Sequence, residues 1–451
     1  MELSELYLDT IIQNMGLSAK DLQSLQDEQL RAAVSFAYKE VPFYRKKYDE
    51  HGVSPRDIRG LDDLEKLPVI MKGEMKSLPA SEIIPYGSKP SDFRLLRTAG
   101  STGEPLTIYR DHESIQRIVD LNMVVFYKWC QGKPYDSVLY IMTVSSTSLE
   151  KMLLYLFPVD EDRIVDVMLP THVHYQYLEK YVPEYLSTYP SIVRNLSIEL
   201  LRRNRSAEYV KLIHSTAELL DAHTIAMAKR AFPKARIVQT YGSHEGGLIA
   251  YQCPLEGNEH MHIAADSVHL ELLEDETVKG STGAVITDFT NFATPIIRYA
   301  GMGDLIKISS EPCPCGLPYP LITKLEGRII DSIILPDGTG ISPFTVTLIL
   351  KEIRGIHKFQ VIQNQRARLE IHVVPVYKDK KDLKTLEELI QAELKRTIAK
   401  DLEFHVHWVK EIRARKPGSH KVPVVICNIP PEEIIGGKKR RDHEPGTGGR
   451  P

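Results

Sequence analysis

Two groups of residues have the types and spacing to do chemistry. The first is Thr98-Ala99-Gly100-Ser101-Thr102-Gly103-Glu104-Pro105, a run of small residues and hydroxyls that follows Phe93-Arg-Leu-Leu-Arg97. Such a loop lets backbone N–H groups and hydroxyl donors come close to phosphate oxygens. It is not a Walker A loop, which needs lysine after the second glycine; Glu104 stands there. Alone, such a run is more often a plain turn. The second group is Cys253, His260 and His262 within ten residues, with Cys313-Pro-Cys315-Gly316 further on. Three thiolates and one imidazole are the composition of a closed structural zinc site, with either histidine as the fourth ligand. Its rival is a set of ordinary reduced thiols in turns.

Further segments follow the loop in a fixed order: Tyr189-Pro190-Ser191, then Ser215-Thr-Ala217-Glu218, then Tyr241-Gly242-Ser243-His244-Glu245-Gly246. Ile297-Arg298-Tyr299 with Gly303-Asp304, and Gly327-Arg328-Ile329-Ile330-Asp331, complete the series. With the loop and the segment 41–75, they resemble the adenylate-forming superfamily of acyl-CoA synthetases, and within it the phenylacetate-CoA ligases. The likeness runs from about residue 30 to 427. It implies a role for each matching position. Thr98, Ser101, Thr102 and Gly103 would hold ATP phosphates, and Ala217 and Glu218 would lie near adenine. Tyr241, with Gly242 and Ser243 beside it, would pack on adenine or substrate; Glu245 would ligate Mg²⁺. Asp304 would bind the ribose hydroxyls, Arg328 would contact the nucleotide, and Asp331 would be the hinge of a small mobile domain. The resemblance also favours His262 over His260 beside the three cysteines. The implied reaction joins a carboxylic acid, aryl or arylacetic, to AMP and then to coenzyme A. A carrier-protein thiol or an amine is the alternative acceptor, and a non-catalytic nucleotide-binding relic is the rival from another class. A homodimer is compatible with the likeness.

The physical demands of that reaction agree with these residue types. A carboxylate and ATP are both anions, so attack on the α-phosphorus needs a cation and positioned donors. Mg²⁺ takes oxygen ligands and few protein carboxylates, which a lone Glu245 beside phosphates satisfies. Three departures from the family pattern stand out. His244 replaces a threonine or serine and is a candidate for the acyl pocket or for base catalysis. Arg298 to Asp304 is one residue longer than the common spacing. The lysine expected in a carboxyl-terminal Ser-Gly-Lys-x-Arg loop is absent, Ser419 taking its place, so Lys421, or else Lys416, is expected to supply the cation.

The elements that must position these residues read as mixed α/β. The 451 residues carry 57 Lys and Arg against 60 Asp and Glu, a net −3, so nothing calls for nucleic acid or an anionic membrane. No apolar run approaches the ~18 residues of a membrane helix, and the acidic start does not read as a signal peptide. Five cysteines in this length make no disulfide scaffold, and a reducing, cytoplasmic setting is expected. Helical spacing over the first 60 residues gives way, from about 93 to 330, to short β-rich runs alternating with helices. Residues 355–363, 368–376, 382–398 and 403–412 read as β-β-α-β. We therefore expect a large multi-layer amino-terminal domain over 1–330, a small α+β domain over 331–429, and a disordered tail over 430–451.

Overall fold

Ser18 and Pro42 bound the first long helix. The Ser18 hydroxyl accepts from the Asp21 backbone N–H at 3.2 Å and caps the helix Ala19–Glu40. Pro42 ends it and opens the helix Pro42–Glu50, where the missing N–H has no partner to lose. Leu22, Gln26, Leu30, Ala33, Val34 and Ala37 form its buried stripe at three- and four-residue spacing.

The computed structural model describes residues 7–97, 106–131, 137–142, 160–218, 220, 222–274, 282–302, 304, 306–325, 333–336, 340–341, 346, 349–350, 352–376, 379–398, 402–412 and 425–428. They divide into two compact units, one within Met1–Ile330, the other within Asp331–Ile412 and Pro423–Pro451. No described helix is long and apolar enough to cross a membrane.

In the first unit, β1 (Arg94–Arg97) and β2 (Thr107–Arg110) pair antiparallel, Arg97 opposite Thr107, so residues 98–106 connect the two strands. Five parallel strands follow: β3 (Val138–Met142), β4 (Ile164–Asp166), β5 (Tyr185–Thr188), β6 (Leu212–Ser215) and β7 (Arg236–Ser243), in spatial order β4-β3-β5-β6-β7. Helices Thr171–Tyr181, Pro190–Arg202 and Ala222–Ala231 lie in the crossovers between them. A strand covered on both faces need not alternate, and Tyr185–Thr188 is buried at every position. After β7 the same sheet continues antiparallel through β8 (Gly247–Gln252), β9 (Met261–Ile263), β14 (Leu321–Leu325) and β13 (Ile306–Ser309). A second sheet packs β10 (Val268–Glu274), β11 (Thr282–Asp288) and β12 (Ile296–Tyr299) antiparallel.

In the second unit β15 (Ile333–Ile334) pairs antiparallel with β16 (Gly340–Ile341), and the residues read as β-β-α-β form β17 (Ile356–Gln365), β18 (Arg368–Pro375), the helix Lys380–Thr397 and β19 (Glu403–Trp408). The helix buries Leu386, Ile390 and Leu394, one turn apart, in a core that holds Val361, Leu369, Ile371 and Val373. The spacing missed β15, β16 and β20 (Val425–Cys427), the last of which pairs parallel with β17. Runs this short show no period.

Candidate functional site

Three of the predicted segments leave the carboxyl ends of three neighbouring parallel strands. Tyr189-Pro190-Ser191 follows β5, Thr216-Ala217-Glu218 follows β6, and Tyr241 to Ser243 end β7. In open α/β sheets this edge is where ligands bind. The segments also touch. Ser191 donates its backbone N–H and its hydroxyl to the Glu218 carboxylate, at 3.0 and 3.2 Å. Glu218 thus satisfies donors at the start of the helix Pro190–Arg202. Ala217 sits at φ +67°, the left-handed region that a Cβ disfavours. Strain of this kind is found at sites where function dictates backbone direction.

Tyr241 and Asp304, 63 residues apart, meet in one hydrogen bond: the phenol donates to a carboxylate oxygen at 2.8 Å. The longer connection after β12 brings them together. Gly301 is required in it, because a Cβ there would come within 2.1 Å of the fully buried Tyr299 ring. Next to it the Met302 sulfur lies 3.7 Å from the Ser243 hydroxyl and 3.9 Å from that of Tyr241.

Glu245 is 5% exposed and lies in the turn between β7 and β8. A helix starting at Gly246 would have made Glu245 a cap, but Gly247–Gln252 is a strand; Gly247, at φ +64°, turns the chain back beside β7. The Gly246 N–H donates to the Ser243 hydroxyl at 3.0 Å. His244 is half-buried in the same turn. Sequence reasoning missed Arg110 and Asp288, a fully buried ion pair at 2.9 Å. The Arg110 guanidinium also donates to the backbone carbonyls of Glu245 at 2.8 Å and of His244 at 3.3 Å. An arginine closing a β-rich run has no local signature; only its partners reveal it.

The cysteine segments converge as well. The ligand atoms of Cys253, His262, Cys313 and Cys315 all lie within 4.8 Å of one another. Cys253 follows β8, His262 is on β9, and Cys313 and Cys315 lie in the connection from β13 to β14. The Cys253 and Cys313 sulfurs are 3.6 Å apart, and Cys315 Sγ is 3.2 Å from His262 Nε2. Tetrahedral Zn–S bonds of about 2.3 Å place two sulfurs about 3.7 Å apart, so number, type and spacing of these donors fit zinc. His262 Nδ1 faces the Tyr319 carbonyl at 3.4 Å, which directs the proton there and the Nε2 lone pair to the sulfurs. Burial also lowers the His262 pKa to about 4, keeping the ring neutral, and pushes the Cys315 thiol up to about 12. His260 lies beside the cluster, its Nε2 3.0 Å from Cys313 Sγ. Asn258 donates to the Cys253 sulfur at 3.4 Å.

Thr98, Ser101, Thr102, Gly103, Arg328, Asp331, Lys416, Ser419 and Lys421 lie outside the described residues.

The layered fold, with its nucleotide-type edge on a sheet that turns antiparallel at β7, is that of the adenylate-forming enzymes. Across 92% of both chains it superposes on 2-hydroxyisobutyryl-CoA ligase in complex with 2-HIB-AMP and CoA in the thioesterification state, with a TM-score of 0.63 at 17% identity. Residues 333–428 match the family described as the CapK C-terminal domain. In sequence the chain is 24% identical to a phenylacetate-coenzyme A ligase of Thermus thermophilus, over 94% of this chain and 97% of that one. It is 25% identical to the enzyme of the same name from Escherichia coli, over 62% and 66%. In fold the chain is similar to adenylate-forming ligases, and in sequence it is similar to phenylacetate-CoA ligases.

Proposed function

We propose that this chain is an AMP-forming acyl-CoA ligase acting on an aryl or arylacetic acid. The carboxylate attacks the α-phosphorus of ATP, the bond to the β-phosphate oxygen breaks, and pyrophosphate leaves. The coenzyme A thiol then attacks the acyl carbon and AMP leaves. One observation carries the reading: the segments at 189–191, 217–218 and 241–245 share one edge of the sheet, and Asp304 reaches Tyr241 there.

Asp304 presents a carboxylate that the Tyr241 phenol orients, and charge-assisted bonds to ribose hydroxyls suit such a group. Tyr241 orients that carboxylate while its ring offers a face for adenine or acid. Glu218, on the Ser191 donors, holds the Ala217 turn beside the base. Thr98, Ser101, Thr102 and Gly103 supply phosphate donors, and Arg328 a nucleotide contact. Mg²⁺ at Glu245 would offset phosphate charge. Lys421 supplies a cation to the attacking carboxylate, and Asp331 is the hinge between half-reactions. Cys253, His262, Cys313 and Cys315 would hold a zinc ion with no open position, a structural tie and not a catalyst. The names of the sequence relatives support an arylacetic acid.

The test is acid-dependent exchange of pyrophosphate into ATP over a panel of aryl, arylacetic and aliphatic acids. Mass spectrometry of the product follows, with coenzyme A, a carrier protein or an amine as acceptor. We expect exchange with an aryl or arylacetic acid and an acyl-CoA product. No exchange with any acid sinks the reading, and an acyl-carrier or amide product replaces the acceptor.

A further inference from the structure

Arg110 ends the strand that follows the 98–106 connection, and its guanidinium reaches the turn that carries Glu245. We propose that Arg110, fixed by Asp288, is a positioning residue that couples these two elements and sets the direction of the Glu245 turn for metal-bound nucleotide. The inference rests on the reading of Glu245 as the Mg²⁺ ligand.

The guanidinium is held through Nε and Nη2. Thr290 donates its backbone N–H and hydroxyl to Asp288 Oδ1 at 2.8 and 2.7 Å, leaving Oδ2 for Arg110 at 2.9 Å. The neighbours of Arg110 are pinned too. The Tyr109 N–H donates to the Thr294 hydroxyl at 3.1 Å, and Asn291 donates to the Tyr109 carbonyl at 3.0 Å. Asp111 accepts the Phe292 N–H at 3.1 Å. What the fork grips in return is backbone: the carbonyls of His244 and Glu245. A peptide carbonyl carries partial negative charge, so one freed from Arg110 can turn toward phosphate oxygens and repel them. Gly247 lies against this guanidinium: a Cβ there would clash with Ile118 at 2.7 Å and sit in ordinary contact with Arg110 Nη2 at 3.6 Å.

A purely stabilising role explains the pair poorly. Buried ion pairs are commonly replaceable by apolar groups without loss. Here Arg110 Nη1 is also buried with no hydrogen-bond partner among the described residues, which is a cost. What only the charged fork supplies is direction for two consecutive carbonyls.

The experiment measures the dissociation constant of ATP with Mg²⁺ and with a chelator, in the full chain, and takes the ratio as the gain from Mg²⁺. A generally loosened fold weakens both constants alike and leaves the ratio unchanged. Glu245→Gln should abolish the gain. Arg110→Lys keeps the charge but loses the fork, and should shrink the gain about tenfold, the lower end for bonds to a charged group. Should the lysine variant not fold, Arg110→Met with Asp288→Asn removes the clamp without stranding a charge, and the same loss is expected. If Glu245→Gln abolishes the gain and the folded Arg110 variants keep it, the inference falls and the Glu245 reading stands. If Glu245→Gln keeps the gain, the Glu245 reading itself falls, and the inference with it.

Discussion

Tyr241 and Asp304 share a single hydrogen bond, and its two ends are not equivalent for ATP. Removing the phenol by Tyr241→Phe leaves the carboxylate present but less oriented, so nucleotide affinity should fall about three- to tenfold, as for one bond of 0.5–1.5 kcal/mol. If Asp304 holds the ribose as proposed, Asp304→Ala removes two charge-assisted bonds of about 1.5–3 kcal/mol each, and the loss should be one to several orders of magnitude. Calorimetric titration with ATP checks both; unchanged affinity in Asp304→Ala would move the ribose contact elsewhere in the lengthened 299–304 connection. The two histidines near the cysteines separate in the same way. His262 presents a lone pair that the Tyr319 carbonyl directs, whereas His260 approaches a thiol from outside the four-donor cluster. His262→Ala should empty the site, and His260→Ala should keep about one zinc per chain while releasing it faster to a chelator. Elemental analysis decides, and the reverse result would exchange the two roles. These residue types were legible in the sequence because phosphate, ribose and zinc each demand a narrow choice of donor. Arg110 was not, because what it serves is backbone 134 residues away.

At the scale of the element, the parallel strands do the gathering. In-register pairing of β5, β6 and β7 puts three distant motifs side by side, and it also encloses His214. The imidazole meets the hydroxyls of Tyr185 and Ser187 at 3.1 Å on Nδ1 and of Thr240 at 2.9 Å on Nε2, with the Trp129 ring 5.4 Å away. Burial without a carboxylate partner lowers its pKa to about 4. Below pH ~6.5 the unfolded chain therefore binds a proton that the folded chain refuses until about pH 4. The contribution of His214 is intact above pH ~6.5 and drains away as pH falls toward 4. Between pH 7 and pH 5 it amounts to about 2 kcal/mol. His214→Gln should lose that much less than the wild type over this interval in urea unfolding; equal losses would mean that the ring is protonated in the fold.

For the whole molecule, the prediction concerns the two half-reactions. A cation is needed while two anions, carboxylate and ATP, meet, and less so when a thiol meets the uncharged acyl carbon of acyl-AMP. Lys421→Ala should slow pyrophosphate exchange by at least about tenfold yet spare thioester formation from supplied acyl-AMP. Rapid-quench measurement of each step decides it, and equal loss in both, or none in either, would assign the cation to another residue. Lys416→Ala is the matching control for the alternative lysine.

The sequence by itself determined the chemistry and the order of its parts. Residue type limits which group can meet phosphate, ribose or zinc, and apolar spacing shows where helices and strands run, including the β-β-α-β of the second unit. Tertiary structure alone decided which of these parts meet. It put Glu218 on the Ser191 donors, joined Tyr241 to Asp304 and closed Arg110 on the Glu245 turn. Each of those outcomes depends on pairing between segments far apart in the chain, and such pairing leaves no periodicity in either segment alone. Arg110 is the clearest case: its partners are an aspartate and two carbonyls, and nothing in the residues around it names them.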